Sequence, residues 1–497
     1  GRTAGFVNNI YSYLDSDLPS YQSLASACDE AEMAVTYSSV LDYTKGAWSA
    51  LNPKSLWGYY SGIRAANYFL EESKDLDFYD LRYAQDYEAQ MNRFNRYQYE
   101  VRLLRAYYYF LLVRAYGDVP FTVNVLTEKE ANSLSRTPAS EVFDFIISEC
   151  EEVAPELPVS YSALDNDAAG GSNPEAGRVT QGTALALKAR AALYRASKLF
   201  SGGEDRNLWR EAAVANKAVI DYCTANGIRL GKYTDIWGTD NYQASEMIFV
   251  RRIGDTSSPE YTNFPVGMEN ASSGNCPTQT LVDAYESKDN GDKDPRFGMT
   301  IACNGDKWPN TNPNPLETFI GGKNGLPLPY ATPTGYYLKK YLDASTDISA
   351  ESGSGGKRHN WVIFRLGEFY LNYAEIMYEL GNEEQAREYV NKVRARQSVN
   401  MPPVTASGEK LRDKIRNERR VELAFEGHRF FDVRRWCIAD ETENRDLLAM
   451  NIQKQADGTK TYEVTMLLKR SFLEQHKLVP IPRTEIDKSE GSLVQNP

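Results

Sequence analysis

Three glutamates recur every four residues towards the end of the chain: Glu418, Glu422 and Glu426. This spacing predicts that they share one face of a helix, with Phe425 nearby. Carboxylates placed in this way suit two kinds of chemistry. One is an acid/base pair, such as a glycosidase uses across the bond that it cleaves, and the other is a set of metal ligands.

The same segment, RNERRVELAFEGHRFFDVRRW at 416–436, is also rich in arginine, and no histidine box such as HExxH accompanies it. An acid on an apolar helix face must be paired when it is buried. The nearby cations are Arg416, Arg419, Arg420, Arg429, Arg434 and Arg435. We therefore favour an internal ion-pair network over an active site, because such networks imitate active sites in composition.

The net charge, the motifs and the longest apolar run argue against several other classes of protein. The 497 residues carry a net charge of -12, which disfavours binding to nucleic acid. GxSxG, Walker and GxGxxG motifs in the appropriate context are missing, so no cofactor is predicted. The longest apolar run, AYYYFLLV at 106–113, is far too short to span a membrane. The chain opens with GRTAG and shows no signal peptide, as expected of a trimmed mature form.

Metal sites also find little support in the sequence. The six cysteines form no CxxC pair and only three histidines occur, so zinc-type spacing is missing. The acid-rich stretch ESKDNGDKDPRF at 286–297 lacks the spacing of an EF-hand and is better explained as a solvated turn. Cys276 and Cys303 lie in loop-rich sequence, where they could pair in an oxidising compartment.

Helical hairpins dominate the chain outside its middle. From Leu366 to Leu380 apolar residues follow a 3.6-residue period, Gly381-Asn382 then breaks the helix, and a second helix follows. Small residues at the crossing positions fit a tetratricopeptide helix-turn-helix unit. Looser copies pair 183–200 with 208–223 and 99–117 with 139–153. Each pair leaves an apolar face that a neighbouring pair must cover, which predicts an α-solenoid core.

The sequence changes character between about 225 and 362. Glycine, proline, asparagine and serine crowd this region, so long helices are not expected. Aromatic residues punctuate it, whereas disordered linkers are poor in aromatics. We therefore expect ordered loops that carry a ligand-binding surface.

Six stretches, taken in order, resemble the SusD/RagB family of surface glycan-binding lipoproteins. They are WGYYSGIRAAN (57–67), EVRLLRAYYYFLLVRAYGDVP (100–120), PTQTLVDAYESKD with DPRF (277–297), FRLGEFYLNYAEIMYELGN (364–382), ERRVELAFEGHRFFDVRRW (418–436) and LVPIPRTEI with LVQNP (478–497). The resemblance covers essentially the whole chain. In this family the charged segment is a scaffold feature, which agrees with the ion-pair interpretation.

The resemblance implies a mainly α fold, a tetratricopeptide helical superhelix with a loop-rich variable lobe and minor β hairpins. One domain would span 1–497. Its helical scaffold would cover about 1–225 and 362–440, its lobe about 226–361, and a C-terminal segment, 441–497, would pack back.

The resemblance also implies a function without catalysis. Members hold an oligosaccharide and act as a lid on a TonB-dependent, SusC-like outer-membrane transporter. The protein would be a cell-surface lipoprotein of the outer membrane. It would touch the membrane only through an N-terminal lipid anchor, and the cysteine that carries this anchor is missing from this chain.

The family's ligand site lies between the loop before the WGYYSGIRAAN helix and the middle lobe. The first loop reads DYTKGAWSALNP at 42–53, and its candidate ligand-binding residues are Tyr43, Trp48 and Asn52. The candidates from the lobe are Asn270, Asp306, Trp308 and Tyr330. Because Trp48 and Trp308 lie in loops, we expect their indoles to stay partly exposed.

Three alternatives remain open from the sequence. A peptide- or protein-fragment-importing lipoprotein of the same family would share every motif. A tetratricopeptide adaptor would use the same helical hairpins to grip peptide tails. A helical-barrel glycosidase is compatible with the 68 acidic residues, although nothing singles out a catalytic pair.

Overall fold

A computed structural model of the chain describes residues 2–52, 56–164, 177–350 and 355–497. The backbone forms two compact units. Unit 1 comprises 1–15, 49–228 and 478–497, and unit 2 comprises 16–48 and 229–477. The single domain expected from the sequence, with its lobe boundaries, stays a prediction.

Unit 1 is built mainly from α-helices. They are α1 (Arg2–Tyr11), α2 (Tyr59–Glu72), α3 (Tyr87–Tyr116), α4 (Glu128–Asn132), α5 (Ala139–Val153), α6 (Gln181–Ala196), α7 (Lys198–Ser201), α8 (Arg206–Ala225) and, after unit 2, α17 (Arg483–Lys488). Local signals start these helices. The Thr180 hydroxyl accepts the Thr183 N–H at the start of α6, and the Asp205 carboxylate accepts two N–H groups at the start of α8.

The helices of unit 1 pack against one another in pairs. The second half of the 30-residue α3 is buried almost continuously, and it packs against both α2 and α5. At Gly62 the α2 backbone lies so close to Tyr108 that an added Cβ would sit 2.8 Å from the tyrosine ring. In the same way α6 pairs with α8. Both looser hairpins expected from the sequence are therefore confirmed.

Unit 2 mixes short helices with small sheets. Its helices are α9 (Ser258–Asn263), α10 (Gln279–Ala284), α11 (Pro295–Thr300), α12 (Leu366–Glu379), α13 (Glu383–Arg394), α14 (Glu409–Glu422), α15 (Arg429–Arg435) and α16 (Ala439–Thr442). Its strands are β1 (Ala31–Met33), β2 (Met247–Thr256), β3 (Asn275–Pro277), β4 (Ile301–Ala302), β5 (Tyr337–Leu338), β6 (Lys357–Arg365), β7 (Asp446–Lys454) and β8 (Lys460–Lys469).

The strands pair two by two, each pair antiparallel: β1 with β3, β2 with β6, β4 with β5, and β7 with β8. The β2–β6 pair brings the two ends of the middle region together, with Met247 opposite Arg365. Between these strands the helices are only six residues long, as the glycine- and proline-rich sequence predicts. Aromatic and aliphatic side chains of this region, among them Phe264, Leu281 of α10 and Tyr337 of β5, form a buried core there.

The clearest hairpin predicted from the sequence is confirmed as α12 and α13. Gly381 adopts φ +82°, a left-handed conformation that glycine reaches without strain, and so ends the first helix. The side chain of Asn382 then accepts the Gln385 N–H and starts the second. With these pairs, the loop-rich middle and the small hairpins, the predicted fold class is confirmed.

The pairing of Cys276 with Cys303 that the sequence left open is not formed, and both thiols are free. Cys276 lies on β3 in the core and donates its S–H to the Ser273 carbonyl. Burial raises the pKa of each thiol to about 12, so both stay protonated at neutral pH. No helix in the described part of the chain is long and apolar enough to cross a membrane.

Candidate functional site

The glutamates of the charged segment lie inside a buried ion-pair network. Glu422, at the end of α14, contacts Arg296 at 2.7 Å, Arg365 at 3.0 Å and Arg396 at 2.6 Å. Glu418, one turn earlier, contacts Arg296 at 2.6 Å and Arg394 at 2.9 Å. All these side chains are buried. Cations therefore occupy the space that a substrate or metal ion would need.

Two details of the predicted network are wrong. The cations that pair with these glutamates come from other elements, α11, β6 and the end of α13, and not from the charged segment. Glu426 lies beyond the end of α14, where Phe425 adopts φ +60°, and it pairs with Lys340 and Arg365, each at 2.8 Å. The four-residue spacing of the glutamates does not reveal that the helix ends between Glu422 and Glu426.

The arginines of the segment have other partners. Arg419 binds Asp432, Arg435 binds Glu375, Arg429 binds Asp29 with two N–H groups, and Arg434 donates to backbone carbonyls. Arg416 lies over the Trp436 ring. Through its acidic and its basic side chains, the segment therefore joins parts of unit 2 that are distant in the sequence.

Electrostatics keep the central carboxylate ionised. Burial would raise the pKa of Glu422, but Arg396, Arg365 and Arg296 outweigh burial and hold this pKa well below its usual range. A general acid needs the opposite shift, towards neutral pH. Among the described residues no cluster of three His, Cys, Asp or Glu side chains is placed to hold a metal ion. The network therefore acts as a structural junction.

Two of the predicted ligand-binding residues lie in the core. Trp48 is only 1% exposed, with its ring 4.3 Å from Tyr43 and 5.4 Å from His476. Tyr43 is buried as well. The expectation that the Trp48 indole stays exposed is wrong, because the C-terminal part of unit 2 brings His476 and Phe430 over it.

Trp308 is also buried, at 7% exposure, and packs edge-on against Phe264. The expectation that its indole stays partly exposed is therefore wrong too. Asp306, two residues earlier, is partly exposed and lies 3.4 Å from Lys339, whose ammonium group approaches the Trp308 ring. The indole therefore contributes to the lobe core.

The remaining candidates are exposed. Asn270 donates its side-chain N–H to the Ile348 carbonyl and adopts φ +64°. Asn52 belongs to unit 1, where its amide oxygen accepts from the backbone and hydroxyl of Ser49. Tyr330 is 41% exposed and adopts φ +60°.

Tyr330 has an aromatic partner that the sequence did not reveal. The ring of Tyr37, 77% exposed, meets it edge-on with centroids 6.0 Å apart. Tyr37 comes from the loop after β1 and Tyr330 from the middle lobe. The structure thus joins the loop after β1 to the lobe, whereas the sequence had pointed to the 42–53 loop, and the place of the ligand site stays a prediction.

A third tyrosine extends this surface. Tyr21 is partly exposed, and its hydroxyl lies 3.1 Å from the Ser272 hydroxyl. The Tyr21 carbonyl accepts from Ser38, the neighbour of Tyr37, so the two loop segments are held together. We call Tyr21, Tyr37 and Tyr330 the tyrosine surface. Its one signal in the sequence is a run of small polar residues, TYSS, around Tyr37.

Comparison with protein-family models identifies the family of the chain. The model of the SusD family matches residues 194–497. The chain belongs to the SusD family. A second model, described as starch-binding associating with outer membrane, matches residues 6–167.

Individual relatives agree with this membership. A SusD-like protein P25 of Formosa agariphila is 24% identical over 362 residues, which span 68% of this chain and 63% of that protein. A solved SusD-like protein from Bacteroides fragilis is 27% identical, with a TM-score of 0.82, covering 99% of this chain and 96% of the other. A SusD-like carbohydrate binding protein from the same species is 24% identical and shares the fold, with a TM-score of 0.78, covering 98% and 97%.

Proposed function

We propose that this protein binds an oligosaccharide at the tyrosine surface and delivers it to a TonB-dependent, SusC-like transporter of the outer membrane. The observation that carries the proposal is the exposed pair of Tyr37 and Tyr330. Two large rings from segments distant in the sequence lie against each other while both remain exposed to solvent.

The chemistry of the surface suits a sugar. A pyranose ring has an apolar C–H face and a rim of hydroxyl groups, and so it needs an aromatic platform with polar groups beside it. The tyrosine rings offer the platform, and Ser272 and Gln22 lie beside them. The exposed Asn270 and the partly exposed Asp306 of the lobe are further candidates for hydroxyl contacts.

Family membership supports the rest of the proposal. One of the two matching family models is described as starch-binding and as associating with the outer membrane. On this basis we place the protein on the cell surface, held to the outer membrane by a lipid anchor, with the transporter as its partner.

We propose that delivery involves no hydrolysis. Glu418 and Glu422 of α14 are paired with arginines, and Glu426 just beyond the helix is paired with Lys340. Long incubation with a bound oligosaccharide is expected to release no new reducing ends. Turnover that is abolished by Glu422→Gln would contradict this part of the proposal.

The binding site is tested by calorimetry after a screen of oligosaccharides, with starch fragments included. Tyr37→Ala and Tyr330→Ala are each expected to weaken binding by about thirtyfold, since anchors of this kind contribute roughly 2 kcal/mol. Tyr462→Ala is the matched control, because Tyr462 is an exposed tyrosine on β8 of the same unit. Its affinity should equal that of the wild type.

Two results would overturn the proposal. Unchanged affinity in both variants would show that the sugar binds elsewhere. Binding of peptides in place of every oligosaccharide tested would show that the ligand class is wrong.

A further inference from the structure

A buried charge pair joins β6 to α9 in unit 2. His359 lies on β6 and Glu260 on α9, and their side chains are only 5% and 0% exposed. Nε2 of the imidazole lies 2.9 Å from Oε1 of the carboxylate. The pair therefore connects a strand at the end of the middle region to a short helix near its beginning.

The hydrogen bonds of His359 define its charge. Nδ1 lies 2.8 Å from the Lys357 carbonyl oxygen, which can only accept, so this nitrogen donates. Nε2 faces Oε1 of Glu260, and this oxygen also accepts the Asp343 N–H at 2.9 Å, as a carboxylate oxygen does. Both ring nitrogens therefore donate, and a histidine that donates from both nitrogens is an imidazolium.

The charged groups around the imidazole favour its proton. Burial alone would lower the pKa of His359, but the hydrogen bond and the charge of Glu260 outweigh burial, with help from a backbone carbonyl and the Asp343 carboxylate, and the pKa is raised. Arg358, the neighbour on β6, lies 3.9 Å from Asp255 of β2. Loss of the proton would leave the Glu260 carboxylate buried without its cation, which is unfavourable.

The helix that carries Glu260 also supports the backbone beside the tyrosine surface. It ends at the fully buried Asn263, whose side-chain amide donates to the Pro19 carbonyl at 2.9 Å. The amide oxygen of Asn263 accepts from the backbone and the side chain of Asn275, at 3.0 and 2.9 Å. Asn275 donates in turn to the Ser20 carbonyl at 2.9 Å. The position of α9 therefore determines the path of the chain immediately before Tyr21.

The polar groups beside Tyr21 depend on the same helix. Ser272 and Asn270 belong to the turn that directly follows α9. The Ser272 hydroxyl lies 3.1 Å from the Tyr21 hydroxyl, and Asn270 donates to the Ile348 carbonyl at 2.9 Å. Ile348 belongs to the loop whose backbone donates to Glu260. A displacement of α9 would therefore move both the Tyr21 ring and its polar neighbours.

We propose that His359 and Glu260 form a pH-sensitive latch. The imidazolium holds α9 in the position that supports Tyr21, and loss of its proton releases the helix and weakens sugar binding at the tyrosine surface. This inference rests on the proposed function, because the regulated site is the one proposed to bind the oligosaccharide.

The direction of the pH dependence follows from the raised pKa. In the unfolded chain His359 has the ordinary histidine pKa of about 6.5. The latch therefore contributes fully to stability below about pH 6.5, and its contribution is lost as pH rises through the higher pKa of the folded state.

The charge of the latch is measured by NMR titration of the imidazole signals between pH 5 and 9. The chain has three histidines, and the His359 signal is the one that is missing from His359→Gln. We expect this signal to titrate above about pH 6.5 in the wild type, and at or below this value in Glu260→Gln. The glutamine amide can accept the Asp343 N–H and donate to a neutral imidazole, so this variant should stay folded, which thermal melts check.

The effect on binding is measured by calorimetry at pH 6 and pH 9, with the starch fragment or other oligosaccharide that binds best in the screen. The affinity of the wild type should fall by at least about fivefold between these values. Glu260→Gln should lose most of this change, and so should His359→Gln, which removes the titrating group. Arg358→Gln is the matched control, because Arg358 is the exposed neighbour on β6, and it should behave as the wild type.

The outcomes separate the latch from the proposed function. A wild-type His359 signal that titrates at or below about pH 6.5 would show a neutral imidazole and overturn the latch. A constant wild-type affinity, or an equal fall in both variants of the pair, would also overturn it while sugar binding stands. If the wild type binds no oligosaccharide at either pH, the proposed function fails and its regulation fails with it.

Discussion

The indole of Trp48 stacks on the imidazole of His476, and the Trp48 carbonyl accepts a hydrogen bond from Nε2 of that same imidazole at 2.8 Å. The other ring nitrogen, Nδ1, accepts the Leu473 N–H. One nitrogen therefore donates and the other accepts, which defines a neutral histidine. Burial lowers the pKa of His476, in agreement with this state.

Replacement of Trp48 by alanine should therefore destabilise the protein. Loss of a buried tryptophan typically reduces the free energy of unfolding by about 3–5 kcal/mol. Urea unfolding measures this loss, and Leu51→Ala, at an exposed position nearby in the sequence, should leave stability unchanged. A Trp48→Ala variant with normal stability and no sugar binding would restore Trp48 as a ligand residue.

Replacement of Glu422 by glutamine should destabilise the protein through charge. The amide keeps the volume of the side chain but leaves Arg296, Arg365 and Arg396 without their shared carboxylate. Breaking a buried pair in this way removes roughly 3–5 kcal/mol of stability. Glu409→Gln is the control on the same helix, since its side chain is exposed. A loss below about 1 kcal/mol in Glu422→Gln would contradict a structural role for the network.

The contribution of Glu30 to the stability of the protein should fall as pH rises from about 5 to 8. Burial, reinforced by the charge of Asp29, raises the pKa of Glu30 from 4.5 to about 8. The folded state then keeps a proton that the unfolded state loses above pH 4.5, so the free energy of unfolding decreases across this window. The decrease reaches about 1.4 kcal/mol per pH unit for one such group. Glu443, whose pKa burial raises to about 7, contributes with the same sign.

Urea unfolding between pH 5 and 9 tests this dependence. Glu30→Gln imitates the neutral carboxyl and should flatten the curve, whereas Glu384→Gln at an exposed position should follow the wild type. Equal slopes in the wild type and Glu30→Gln would show that Glu30 does not carry the proton.

Sequence periodicity predicted the helical part of the fold well. The pair α12 and α13 is encoded locally, by apolar spacing, a glycine that ends one helix and an asparagine that starts the next. The pairing of Glu422 with arginines followed from the cost of burying a lone carboxylate. Which arginines pair with it depends on the tertiary fold, because Arg296 and Arg365 approach from segments more than 50 residues away.

The candidate site was less predictable from the sequence. Loop position suggested that Trp48 and Trp308 were exposed, but an aromatic ring in a loop is exposed only if no distant segment covers it. His476 covers Trp48 from 428 positions away, and Phe264 packs on Trp308. Tyr37 is flanked by small polar residues but matches no binding motif, and it became a candidate only when the fold brought Tyr330 to its side.

The ion pair between Glu246 and Arg365, at 3.1 Å, lies at the end of the β2–β6 strand pair and so joins the beginning of the middle region to its end. Within this closure the intervening loops can change in length at little entropic cost, because closure entropy grows only slowly with loop length. The loops of the middle region can therefore vary while the ion pair holds its two ends together. Loops of different length and sequence can be accommodated here while the Glu246–Arg365 ion pair and the helical hairpins keep their sequences.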